Sequence, residues 1–192
     1  VAALYDYVTS LRYVMVPLGV NSFRPHAAAT VFKNRFGDCK DKANLFNALL
    51  HALDIEACLV LVPRFSGADE LVPGLSFNHA ISRVVLEGQP LWIDTTDDVC
   101  RFGMLPPGDA GRDVLAIDGQ STNLIRLPWP APQDHRLQLR STLALDEALD
   151  TFAVSFRAQA AGFPDYQLRS LAGAAGRGAR VPLMAGAWTL PA

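Results

Sequence analysis

Apolar residues at three- and four-residue steps mark the clearest element of the chain: after Cys39, the positions Ala43, Phe46, Leu49, Leu50 and Leu53 form one stripe of a helix running to about Leu53. Asp38 stands where an N-cap belongs. Its carboxylate can accept from the unpaired amides of the first turn, and its charge suits the positive end of the helix dipole. A similar periodicity (Leu4, Tyr5, Val8, Leu11) predicts a helix over residues 1 to about 12, and a shorter one is expected from His26 to about Arg35, broken by Gly37. Between them, Tyr13 to Leu18 reads as a short strand ended by Pro17 and Gly19.

Ala57 to Val62 is a continuous apolar run after a turn at Asp54, as in a central strand, and Pro63 closes it. Residues 64–75, rich in Gly, Ser and acidic side chains, read as a loop. Ser76 to Leu86 and Leu91 to Thr96 are strand-like runs on either side of Glu87, Gly88, Gln89 and Pro90, the pattern of an antiparallel hairpin. One more strand is expected at Val114 to Ile117. Beyond a Pro-rich linker, Leu137 to Leu145 and Phe152 to Ala160 alternate apolar and polar residues around an Asp146/Glu147 turn, as a hairpin of a separate module. The expected organisation is a core over residues 1–127, a linker over 128–135 and a partial β-rich module over 136–192. No repeat at a solenoid period is present.

Composition narrows the classes of function. A chain of 192 residues, half of them apolar, can bury a core. Its formal net charge of −2 offers no general attraction to a phosphate backbone or to anionic lipid, so nucleic acid is not an expected partner. No apolar run approaches the roughly 20 residues that span a bilayer. No secretory signal is present at the start, although Val1 falls inside a helical pattern, so an upstream segment is expected. Cys39, Cys58 and Cys100 form an odd set without a CxxC pair or a His-x-x-x-His partner, which argues against a disulfide framework and a zinc knuckle. No cofactor or metal is expected.

A cysteine is a useful nucleophile as thiolate, which a helix N-terminus or neighbouring cations favour. Cys39 has both features: the three lysines of the protein, Lys33, Lys40 and Lys42, cluster around it with Arg35, partly offset by Asp38 and Asp41. Cys58, in ACLVLV, reads as a small core hydrophobe and Cys100 as a loop residue. His79 shares a strand face with Ile81 and Arg83, and any register whose paired numbers sum to an odd value puts Asp94 on that face. A four-residue loop, Leu86 to Gln89, pairs Asp94 with Ile81 and leaves it diagonal to His79, with Cβ atoms roughly 7 Å apart. A two-residue loop is expected to separate them. An Asp holding one imidazole nitrogen while the other faces a thiol is the logic of nucleophilic catalysis.

FGDCKDKANLFNALLHAL (36–53), FNHAI (77–81) and LWIDTT (91–96), in that order, resemble the catalytic core of bacterial transglutaminase-like proteins. The resemblance runs from about residue 1 to 117, with LRYVMVPLGVNSFRPHAAATVF (11–32) similar to the segment before the GDCKDKA motif. One departure is Asp54, where the family usually carries glycine. The resemblance implies an α+β fold of the papain-like, transglutaminase-like class, with the nucleophile at a helix N-terminus packed on an antiparallel sheet. It implies a Cys39, His79, Asp94 triad and acyl transfer or hydrolysis of protein or peptide amides through a thioester. It also implies a core set between an upstream β-rich module, lacking here, and a C-terminal β-sandwich beginning near residue 133 and including GFPDYQLRSLAG (162–173). An exported bacterial protein, periplasmic or on the cell surface, follows from the same likeness. The Cys39 amide is a natural oxyanion donor, and Tyr13, Arg24 and Asn78 are candidates to line the site. Hydrolysis is favoured over cross-linking, since no calcium-loop spacing appears. The rival from another class is a peptide- or protein-binding scaffold that keeps the fold without turnover, and a metal site at Cys39 and His79 would need a further ligand.

Overall fold

The structure is a computed structural model; it describes residues 1–15, 23–65, 67–68, 76–120, 123–145 and 152–175. The chain divides into two compact units, Val1–Pro130 and Ala131–Ala192.

The first unit runs α1 (Ala2–Ser10), β1 (Arg12–Tyr13), α2 (Ala28–Asn34), β2 (Phe36–Gly37), α3 (Cys39–His51), β3 (Ala57–Val62), β4 (His79–Leu86), β5 (Gln89–Ile93), β6 (Asp113–Ile117) and β7 (Ile125–Arg126). Five strands form one antiparallel sheet in the order β5-β4-β3-β6-β7, with the apolar run 57–62 at its centre. Alternation along each strand splits the core in two. Ala57 and Val84 pack with Leu45, Phe46 and Leu50 of α3 and with Tyr5 and Val8 of α1. Val60, Val62 and Ile81 pack with Leu105, Val114, Ala116 and Leu127.

Helix α3 stops at His51, short of the expected Leu53, which is 60 % exposed. A Schellman closure causes this: Asp54 N–H donates to the His51 carbonyl at 3.0 Å and Ile55 N–H to that of Leu50 at 3.0 Å. Asp54 takes the left-handed conformation (φ 55°) that glycine adopts most easily. The expected strand at 13–18 is limited to β1, which pairs in parallel with β2; residues 16–18 lie outside the described residues.

The β4–β5 hairpin has the anticipated register through a tighter turn. Leu86 pairs with Gln89 and Ser82 with Ile93, so the loop is only Glu87 and Gly88, both at positive φ (51° and 76°), as a type I′ turn requires. The expectation that a two-residue loop would separate His79 from Asp94 was wrong, because a loop centred on 87–88 keeps the same pairing sum as a loop of 86–89.

In the second unit, β8 (Arg136–Leu145) pairs with β9 (Phe152–Ala161), followed by α4 (Phe163–Ala175); the Asp146/Glu147 turn lies outside the described residues. The stretch 162–173, expected to belong to a sandwich beginning near residue 133, is mostly helix. Gly162 (φ 64°) turns the chain, and an i,i+4 pair, Asp165 with Arg169 at 3.4 Å, supports the first turns. No helix among the described residues is long and apolar enough to cross a membrane.

Candidate active site

Antiparallel pairing sends successive strands in opposite directions, so the C-terminal ends of β3 and β5 meet the N-terminal ends of β4 and β6 at one end of the sheet. Four side chains gather there: Arg64 two residues past β3, His79 opening β4, Asp94 one past β5, and Asp109 in the turn before β6. His79 and Asp94 are buried, and His79 Nε2 lies 3.0 Å from Asp94 Oδ2. The other Asp94 oxygen accepts from Thr96 N–H and Oγ1, both at 2.7 Å. Arg64 donates from NH2 to Asp94 Oδ2 at 2.6 Å. The Asp94 carboxylate is thus saturated with donors. Burial alone would raise its pKa, but the bonds from His79 and Thr96 and the charges of His79 and Arg64 outweigh it and hold the carboxyl well below the usual range.

His79 balances opposing effects too. Burial disfavours its cation, yet the hydrogen bond to Asp94, a hydrogen bond with the Cys39 side chain and the Asp94 charge together push it up to about 9. With Nε2 taken by Asp94, Nδ1 is the nitrogen left for the thiol.

Cys39 is the first residue of α3, half-buried. A reciprocal capping box sets this helix start: Asp41 N–H donates to Asp38 Oδ1 at 3.2 Å and Asp38 N–H to Asp41 Oδ2 at 3.4 Å. Tyr13 is brought beside Cys39 by the β1–β2 pairing, Tyr13 opposite Gly37. Its hydroxyl interacts with the Cys39 side chain and is pushed up to about 12 by burial first and by Cys39 and Asp38 next. A Cβ on Gly37 would sit 2.6 Å from Asp41 Cβ. Gly37→Ala should therefore force β2 off α3, break the capping box and cost about 1–2 kcal/mol in thermal or urea unfolding. An unchanged melt would show that the backbone yields without cost.

One further expectation is corrected. The lysines do not surround the thiol as a free positive field. Lys42 is buried and donates to the Thr9 and Leu11 carbonyls at the end of α1, both at 3.1 Å, while Lys40 is paired with Asp38. Cys100 lies in irregular chain, as expected, and is buried; its thiol donates to the Met104 carbonyl and burial pushes it up to about 12. Cys58 is partly buried against the second core cluster, as a small hydrophobe would be. Asn78 uses its side-chain oxygen to accept from Arg64 N–H at 2.9 Å, a backbone anchor. Arg24 is exposed, with no polar contact among the described residues.

Sequence reasoning missed Arg64, Asp109 and Thr96. Arg64 Nε and NH2 reach Asp109 Oδ1 and Oδ2 at 2.6 and 2.9 Å. Thr96 carried a readable signal, the Asp-x-Thr spacing of a local side-chain turn. By donor type, His79, Asp94 and Asp109 could hold a cation, with ligand atoms within 4.8 Å of one another. The Arg64 guanidinium, bonded to both carboxylates, already supplies that positive charge.

A helix with cysteine at its N-terminus, packed on an antiparallel sheet whose end carries a His–Asp pair, is the layout of the papain-like, transglutaminase-like fold class. Residues 1–95, just under half of the chain, match the sequence model of the transglutaminase-like superfamily. Two solved structures are similar. A protein of Parabacteroides distasonis ATCC 8503, provisionally described as a protease, is 18 % identical with a TM-score of 0.48 over 65 % of this chain and 23 % of its own. A protein of Cytophaga hutchinsonii, provisionally described as a cysteine protease, is 15 % identical with a TM-score of 0.41 over 84 % of this chain and 44 % of its own. The chain thus spans less than half the length of either. No curated protein matches it significantly.

Proposed function

We propose that the protein is a thiol-dependent peptidase or amidase, acting on protein or peptide amides through a thioester on Cys39, with His79 as base and Asp94 as orienting carboxylate. The observation that carries this reading is His79 itself, bonded through Nε2 to a fully buried carboxylate and close enough to the Cys39 side chain for it to favour the imidazolium. His79 takes the Cys39 proton at Nδ1, and the thiolate attacks the amide carbon. The Cys39 backbone N–H, free of any intrahelical partner at its helix position, donates to the developing oxyanion, with the Tyr13 hydroxyl a candidate second donor. The imidazolium then protonates the leaving amine, and the C–N bond breaks to leave the thioester. Water, deprotonated by His79, releases the acid and restores the thiol; an amine in its place would give transfer. The match of residues 1–95 to the transglutaminase-like superfamily model supports acyl chemistry of this class, and the likeness read in the sequence supports a periplasmic or cell-surface setting within a longer chain.

Incubation with a mixed peptide-amide library, read for new carboxyl termini by mass spectrometry, tests the reading. Turnover by the parent, absent in Cys39→Ala, with an acyl adduct on Cys39 at short times, is expected. Turnover surviving in Cys39→Ala would end it, and peptide capture without turnover, equal in both proteins, would favour the scaffold.

A further inference from the structure

We propose that Arg64 and Asp109 are positioning residues of this site: Arg64 clamps the Asp94 oxygen that His79 binds, and Asp109 offsets the Arg64 charge so that Asp94 keeps its pull on the imidazole. The inference rests on the catalytic reading only for its consequence on turnover; the geometry stands apart from it.

Arg64 NH2 donates to Asp94 Oδ2, the same oxygen that faces His79 Nε2, so the guanidinium fixes the position of the atom on which the imidazole is oriented. Its planar fork is in turn fixed by two bonds to Asp109, Nε to Oδ1 and NH2 to Oδ2. Asp109 is 0 % exposed. Its turn is closed by its own N–H donating to the Pro106 carbonyl at 3.0 Å. The base of Arg64 is held by Asn78, the neighbour of His79 in sequence, and Asn78 N–H donates to the Val62 carbonyl at 3.2 Å. One bonded chain therefore links the ends of β3, β4, β5 and the turn before β6, and His79 is at its open end.

Charge gives the second half of the case. An Arg bonded to Asp94 alone would draw that carboxylate's field away from His79 and repel the imidazolium. A second buried carboxylate without Arg64 would leave two like charges in contact, and one would take a proton. Burial and the Asp94 charge raise the Asp109 carboxyl against the bonds from Arg64; once it is ionised, Asp94, Arg64 and Asp109 sum to a single negative charge beside the ring. Proton transfer from Cys39 to His79 leaves that total unchanged. The charged and titratable groups bearing on His79 are Asp94, Cys39, Arg64 and Asp109, so removing the Asp109 charge should weaken the imidazolium even though Asp109 does not touch the ring. A merely structural ion pair would hold the turn in place and leave the His79 titration alone.

The test is the His79 titration, followed by the imidazole carbon shift in NMR, in the parent, Asp109→Asn and Arg64→Lys, beside the pH profile of Cys39 alkylation. Neither readout needs turnover. Asp109→Asn should lower the His79 midpoint by about one pH unit, the scale of a lost neighbouring charge. Arg64→Lys, which keeps charge but loses the fork, should slow Cys39 alkylation at pH 6 about tenfold and lower kcat with KM little changed. Folded variants whose His79 midpoint and alkylation profile match the parent would overturn the proposal, as would a network so purely structural that neither variant folds even at low temperature. If alkylation proves independent of His79 in the parent, the catalytic reading fails, while a shifted His79 midpoint in Asp109→Asn still supports the positioning network.

Discussion

Iodoacetamide should alkylate Cys39 readily at pH 6, and His79→Ala should slow that reaction by about two orders of magnitude. An ordinary thiol with a pKa near 8.5 is only about 0.3 % thiolate at pH 6, whereas one paired with an imidazolium is largely thiolate there. The imidazolium persists because His79, despite burial, is raised to about 9 by its bonds to Asp94 and Cys39 and by the Asp94 charge. Its proton is held below that pH and lost above it. Turnover should therefore decline as pH rises through about 9, when the leaving amine loses its acid. Cys58 and Cys100 serve as internal controls, since burial raises both thiols and they should stay unlabelled at pH 6. Mass spectrometry of the labelled peptides decides the matter: equal rates at Cys39 in parent and His79→Ala across the pH range would dissolve the pair.

Asp94→Ala should lower turnover by about 10⁴-fold and destabilise the fold by about 3 kcal/mol. The first figure is the scale seen when the carboxylate of such a triad is lost. The second follows from removing one partner of a buried ionic network, which strands Arg64 and His79; Arg64, 27 % exposed, regains some water, which keeps the loss at the lower end of the expected range. The pH dependence of stability adds a sharper signature. Asp94 is depressed in the fold, so its contribution is full above the ordinary carboxyl pKa of about 3.9 and lost as pH falls well below it. His79 is raised, so its contribution is full below about 6.5 and lost as pH climbs through about 9. The parent should be most stable between about pH 4 and 6.5, and Asp94→Ala should flatten both flanks. Urea midpoints measured from pH 3 to 10 would show it, and parallel curves for the two proteins would count against the coupling.

Helix α3, the central strand and the β4–β5 register were legible in the sequence because each rests on a short-range period: a stripe at 3.6 residues, a continuous apolar run, and a two-residue alternation pinned by the turn at Glu87 and Gly88. The Asp38 cap was legible for the same reason, since a cap and its amides lie within one turn. The lysines show where proximity in sequence misleads. Lys42 lies three residues from Cys39, but helical geometry and core packing carry its ammonium to the α1 carbonyls, 31 and 33 residues away in the chain. Arg64 and Asp109 were beyond sequence reasoning. They stand 45 residues apart in irregular segments where no period operates, and only the antiparallel order of four strands brings them to one end of the sheet. The sequence by itself determined which residues could do chemistry and the local element that presents each one. The tertiary structure decided which charges surround His79, because burial and long-range pairing, absent from any local pattern, set the distances over which those charges act.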